Sequence, residues 1–132
     1  MSKLIVVTGI EGKRYCVDRT LITGIDYYYY KEKEKEYTIL LMKNNPSLIV
    51  KETPSEIFEL IEESEAKEKV HIINFIKLTD MNGKTDVYVN IDKIGAVSEH
   101  AEDLRLINIE GGGLLVKETV EEILAKIEEI TK

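Results

Sequence analysis

Short apolar runs broken by polar turns fill most of this chain, and twice they give way to a helical spacing. Leu4–Thr8 and Phe75–Thr79 are strand-like runs, followed by Glu11-Gly-Lys13 and Asn82-Gly-Lys84. Asn-Gly between two such runs is a strong hairpin signal, because both turn positions tolerate positive φ. The returning strands are Arg14–Asp18 and Asp86–Asn90, which place Tyr15 with Val17, and Val87 with Val89, on one face. A polar corner follows, Arg19-Thr20 or Ile91-Asp92-Lys93, and then a third strand from about Gly24 or Gly95. A second hairpin pairs Tyr37–Met42 with Leu48–Lys51, and Leu104–Ile109 with Leu114–Lys117. Its turns are predicted at Asn44–Ser47 and Gly111–Gly113. Helices are predicted over about Pro54–Ser64 and Val120–Thr131. Their apolar stripes are Ile57, Phe58 and Ile61 in one, and Ile123, Leu124, Ile127 and Ile130 in the other.

The pattern repeats because the sequence does. Leu48-Ile-Val-Lys-Glu-Thr-Pro-Ser-Glu-Ile-Phe58 returns as Leu114-Leu-Val-Lys-Glu-Thr-Val-Glu-Glu-Ile-Leu124. Thr53 with Glu56, and Thr119 with Glu122, have the spacing of a capping box, in which hydroxyl and carboxylate each accept a free N–H of the first turn. Pro54 suits the first helical position, where no N–H is needed. Upstream, Thr8–Lys13 aligns with Thr79–Lys84, and Val17, Asp18 and Ile22 align with Val89, Asn90 and Ile94. The offset runs from 71 to 72 and then to 66, so the first copy carries six extra residues between Ile25 and Val50.

The expected fold is therefore α+β. It has two β-rich repeats, residues 1–66 and 67–132, each of about five short antiparallel strands closed by a C-terminal helix. A unit of that size buries only about 60% of its unfolded surface and is marginal alone. The copies are expected to form one compact body with approximate internal two-fold symmetry.

Residues Phe75-Ile-Lys-Leu-Thr-Asp-Met-Asn-Gly-Lys84, Val89-Asn90, Val116-Lys-Glu-Thr119, Glu122-Ile123 and Ile127 resemble the small flagellar FlbD proteins. That likeness covers nearly all of residues 75–130 and, more weakly, 4–63. It implies a tandem duplication of an FlbD-like unit and an accessory without catalysis. Departures fall at Ile94-Gly-Ala-Val97 and Glu99-His-Ala-Glu-Asp103, where the family has a Leu-Ile-Glu run and a Thr-Pro-Asp-Thr-like turn.

Charge narrows the function. The net charge is −7 and both halves are acidic, which argues against a nucleic-acid coat protein. Cys16 is alone, so no internal disulfide forms, and no apolar run approaches the length of a membrane span. A cytoplasmic location without a membrane partner is expected. Neither His71 nor His100 has the spacing of a metal site. Gly111–Gly113 joins strand to strand, so it lacks the helix start of a phosphate loop. No catalytic residue, cofactor site or metal site is expected, and no enzyme.

The unmatched segment of the first copy is the candidate site. Tyr27, Tyr28, Tyr29 and Tyr30 alternate faces on a strand, and large rings with polar tips favour interfaces. Lys31, Lys33 and Lys35 follow, interleaved with glutamates as a solvated hairpin tip. The plainer reading makes the tyrosines a strand edge covering the sheet. The function expected first is a non-enzymatic protein-interaction or structural module, acting through a protein partner or self-association. The alternatives are a sequence-specific nucleic-acid-binding regulator and a small-molecule sensor with a pocket between the repeats.

Overall fold

A computed structural model of the chain describes residues 3–30, 32, 34–68 and 74–131; Lys31, Lys33 and His71 lie outside them. The first half runs β1 (Leu4–Thr8), β2 (Arg14–Asp18), a 3₁₀ turn (Arg19–Leu21), β3 (Ile22–Tyr30), β4 (Lys35–Met42), β5 (Leu48–Val50) and α1 (Pro54–Glu68). The second half runs β6 (Phe75–Thr79), β7 (Asp86–Asn90), a 3₁₀ turn (Ile91–Lys93), β8 (Ile94–Ala101), β9 (Leu104–Ile109), β10 (Gly112–Val116) and α2 (Val120–Thr131). The fold is α+β, and every pairing between the named strands is antiparallel.

Local chemistry accounts for the shared order. Asp18 and Asn90 cap the two 3₁₀ turns by accepting N–H bonds from Thr20 (2.9 Å) and Asp92 (3.0 Å). At α1 the Glu56 N–H donates to Thr53 Oγ1 (3.1 Å) and the Thr53 N–H donates to Glu56 Oε1 (2.8 Å). Thr119 and Glu122 exchange the same bonds, 3.1 and 2.8 Å, at α2. The glutamate of each Lys-Glu-Thr is a clamp. Glu52 accepts the Thr8 N–H at 2.9 and 3.0 Å. Glu118 accepts the Thr79 N–H and hydroxyl, both at 2.9 Å. Each clamp ties the first strand of its half to the strand-to-helix corner.

Helix α1 runs past the predicted Ser64 to Glu68. Arg19, only 1% exposed, reaches it from the 3₁₀ turn, donating to Ser64 Oγ at 2.9 Å and pairing with Glu68 at 2.5 Å. The turn predicted at Gly111–Gly113 is tighter, because Ile109 pairs directly with Gly112. Gly111 holds φ +94, and a Cβ there would lie 2.4 Å from the Met42 carbonyl oxygen. Only glycine fits that contact between the halves.

The strands form three sheets, ordered β1-β2, β5-β4-β3-β7-β6 and β10-β9-β8. The five-stranded sheet crosses from one half to the other where Gly24 and Ile25 pair with Val89 and Tyr88. Phe58 of α1 covers this join, stacked on Tyr88 at 4.4 Å between centroids and edge-on to Phe75 at 5.9 Å. A two-fold axis would repeat the join as β2 against β8, yet those strands belong to different sheets. The second pairing that an exact internal two-fold would require is not formed, and the join runs one way.

Each half has its own apolar cluster with a contribution from the other. Ile5, Val7, Val17, Ile25, Leu40, Ile57 and Ile61 pack with Tyr88. Ile76, Leu78, Val87, Val89, Ile107, Leu114 and Ile123 pack with Tyr27 and Leu41. No helix among the described residues is long and apolar enough to cross a membrane.

Candidate functional site

The far end of the β3–β4 hairpin is where the halves differ most. Strand β7 pairs only with Gly24 and Ile25 of β3, and β5 only with Thr38, Ile39 and Leu40 of β4. Beyond those positions Tyr28, Tyr29 and Tyr30 pair with Tyr37, Glu36 and Lys35 as a two-stranded ribbon.

Strand alternation sorts the tyrosines. Tyr27 is buried and Tyr29 packs on the second half's apolar cluster. Tyr28 is 45% exposed, with its ring 6.2 Å from that of Tyr30. The Tyr27 hydroxyl donates a short hydrogen bond to Glu36. Burial, and then that carboxylate, push the phenol well above its usual range. Lys35 is exposed at the ribbon's start.

The inner side of the ribbon rests on the β6–β7 turn. Lys84 Nζ lies 4.2 Å from the centre of the Tyr29 ring, a cation–π contact between the halves. The turn is held by buried Asp80, which accepts N–H bonds from Asn82 (3.0 Å), Lys84 (2.7 Å) and Thr85 (2.7 Å). Facing it, Asp26 is pushed up to about 6 by burial, with the Asp80 charge adding to the effect.

Below the ribbon an open cleft of about 410 Å³ is lined by Tyr27, Glu36, Tyr37, Lys51, Lys84 and Thr85, among others. It reaches Thr53 and Pro54 at the start of α1. Its two lysines and its hydroxyl groups suit an anionic group better than an apolar ligand. Thr53, Glu56, Thr119 and Glu122 serve their helix starts by hydrogen bonding.

Sequence reasoning missed Lys51, Lys84 and Asp26. Both lysines sit in repeated motifs that turn and cap chemistry already explains. Nothing local signals that Lys84 meets a tyrosine of the other half. Among the described residues no group of three or more His, Cys, Asp or Glu could hold a metal. His100 is exposed on β8.

No protein-family model matches the chain, and neither does any curated protein. Among solved structures, the chain resembles a protein described as the LytTr DNA-binding domain of a methyl-accepting/DNA response regulator from Bacillus cereus. The likeness covers 97% of this chain and 98% of that one, with a TM-score of 0.55 and 14% identity. At that identity the shared property is the fold.

Proposed function

We propose that this chain is a sequence-specific nucleic-acid-binding protein that presents the β3–β4 ribbon to the groove of a duplex. The observation that carries this reading is the end-to-end fold likeness to a LytTr DNA-binding domain. The ribbon adds a means: a two-stranded β-ribbon fits the major groove of B-form DNA, about 12 Å wide. Its outward face offers Tyr28 and Tyr30 for apolar or hydrogen-bonded contact, and Lys35 for phosphate. Lys51 and Lys84 flank the cleft beneath.

The net charge of −7 weighed against nucleic acid in the sequence, and it still limits the contact. A total says little about one face, and the buried Arg19 and Arg105 are committed to internal partners. With three lysines meeting phosphates, the log–log salt slope of binding is expected near about −3, shallow for such a protein.

Selection from a random duplex pool, followed by fluorescence anisotropy, tests the proposal. The expected result is an enriched site bound at least ~10³-fold tighter than a scrambled one. Tyr28→Ser with Lys35→Gln should weaken that binding at least roughly tenfold while the melting midpoint stays unchanged. No enrichment and no anisotropy change at about 50 mM salt would overturn it.

A second reading has its own support. The exposed Tyr28 beside Tyr30, on an acidic chain, also suits a protein partner. It is preferred if the duplex screen is empty and Tyr28→Ser abolishes capture of one specific protein. We also propose that the halves descend from one FlbD-like unit. The shared motifs, caps and glutamate clamps support that descent.

A further inference from the structure

The one-way join between the halves leaves its second pairing, β8 with β2, unmade. Inside the chain the join has three parts: β3 paired to β7, Phe58 of α1 stacked on Tyr88, and Phe58 edge-on to Phe75. Each residue has a counterpart in the other half. The offset of 72 that relates Ile22 to Ile94 and Asp18 to Asn90 relates Gly24 and Ile25 to Ala96 and Val97. It also relates Val17 and Cys16 to Val89 and Tyr88. The helix motif relates Phe58 to Leu124, and the hairpin register relates Phe75 to Leu4.

Of these counterparts Ala96, Cys16, Leu4 and Leu124 are exposed, whereas Val97 is half-buried and Val17 packs in the first half's core. Leu124 is 54% exposed and Leu4 50%, against a fully buried Ile25 and a 6% exposed Tyr88 in the join. Cys16 is exposed, as is Val6 beside it on the same face of β1–β2. Strand β8 ends its sheet, so it has a strand partner on one edge only, and β2 pairs with β1 alone. Beside β2 runs an open groove of about 360 Å³, walled in part by Val17, Leu21, Met42, Pro46 and Leu48.

We propose that β8 and α2 of one chain dock on β2 and β1 of a second copy, repeating the internal join between molecules. Carrying the Gly24–Val89 and Ile25–Tyr88 register across places Ala96 opposite Val17 of the next copy and Val97 opposite its Cys16. Two residues further on, Glu99 falls opposite Arg14, an acid against a base, and both are exposed. That charge match was not used to set the register. Residues 96–99 are also the regular stretch of β8 between its two bulges. Leu124 then covers Cys16 and Leu4 of the neighbour, as Phe58 covers Tyr88 and Phe75. The contact joins unlike surfaces, β8 to β2, and where it does not close into a ring it propagates head-to-tail beyond a dimer.

The full chain carrying Val97→Cys, oxidised at high protein concentration, tests this through native Cys16. Residues directly opposite on antiparallel strands are within disulfide range. A ladder of dimers, trimers and longer species is expected. It should vanish in Val97→Cys with Cys16→Ser, and in wild type only a Cys16-linked dimer could form. Absence of any cross-linked species that needs both thiols, or cross-linked dimers persisting in the double variant, would overturn the proposal. Sedimentation of the uncross-linked protein gives a second readout. Glu99→Arg should weaken association roughly tenfold and Arg14→Glu added to it should restore it. No effect of the single change, or no rescue by the second, would count against the register. Glu99 also faces Arg105 across β8–β9, so a urea melt of each variant separates lost association from lost stability.

Discussion

The two halves follow one plan and part company at their later hairpins. In the first, β3 and β4 run on past their neighbouring strands and carry Tyr28, Tyr29 and Tyr30 into a two-stranded ribbon. In the second, β8 and β9 are shorter, and β9 returns to β10 through Glu110 and Gly111. That tight turn is exposed yet touches the first half, where the Thr23 hydroxyl donates to the Glu110 carbonyl oxygen at 2.5 Å. The first half thus extends its β3–β4 hairpin, and the second sets its β9–β10 turn against Met42 and Thr23 of the first.

The largest effect should come from breaking the docked turn. Gly111→Ala adds a methyl group against the Met42 backbone at a φ of +94, and should cost at least about 3 kcal/mol in urea unfolding. Its counterpart in the first half, Asn44→Ala at φ +58, meets no such contact and should cost about 1 kcal/mol. Equal costs would undo the contrast.

The clamps probe what the halves share. Glu52→Ala and Glu118→Ala should each cost about 2 kcal/mol, since each strands a partly buried N–H. Glu118 should cost slightly more, because it also holds the Thr79 hydroxyl. A cost in only one half would show that the motif is kept for different reasons.

Asp26 sharpens the comparison by pH. An unfolded aspartate titrates near 4, and in the fold Asp26 is pushed up to about 6. The folded state therefore gains from its protonated form at low pH and loses that advantage as pH rises through about 6. Asp26→Asn keeps an acceptor for the Tyr27 N–H and should stabilise the protein on the order of 2 kcal/mol at pH 7.5. Relative to wild type the gain should disappear below pH 4; a constant difference across pH 4–7 would refute the burial argument.

The smallest effect belongs to the helix starts. Thr53→Ala and Thr119→Ala should each cost about 1 kcal/mol in thermal or urea melts. A change within error at both would contradict the hydrogen bonds seen there.

What the sequence made legible is short-range. Hairpin turns, 3₁₀ corners and helix starts are contacts within a few residues, and Thr53 with Glu56 or Asn82 with Gly83 carry their own geometry. The repeat made the element order of one half a check on the other. It could not give the operator relating them, because the β3–β7 join pairs Ile25 with Tyr88, and no local pattern encodes that register. The site was half legible. Alternation separates Tyr27 and Tyr29 from Tyr28 and Tyr30, whereas the approach of Lys84 to Tyr29 and of Asp80 to Asp26 exists only once the halves meet.

The glutamate clamps also bear on the order in which the chain folds. Glu52 closes a span of 44 residues back to Thr8, and Glu118 one of 39 back to Thr79. Loop-closure entropy grows only with the logarithm of length, so these spans differ by about 0.1 kcal/mol. Neither half has an entropic head start as a nucleus. Which one leads is left to side-chain chemistry, and φ-values at Ile57 and Ile123, each fully buried in its own cluster, would read it directly.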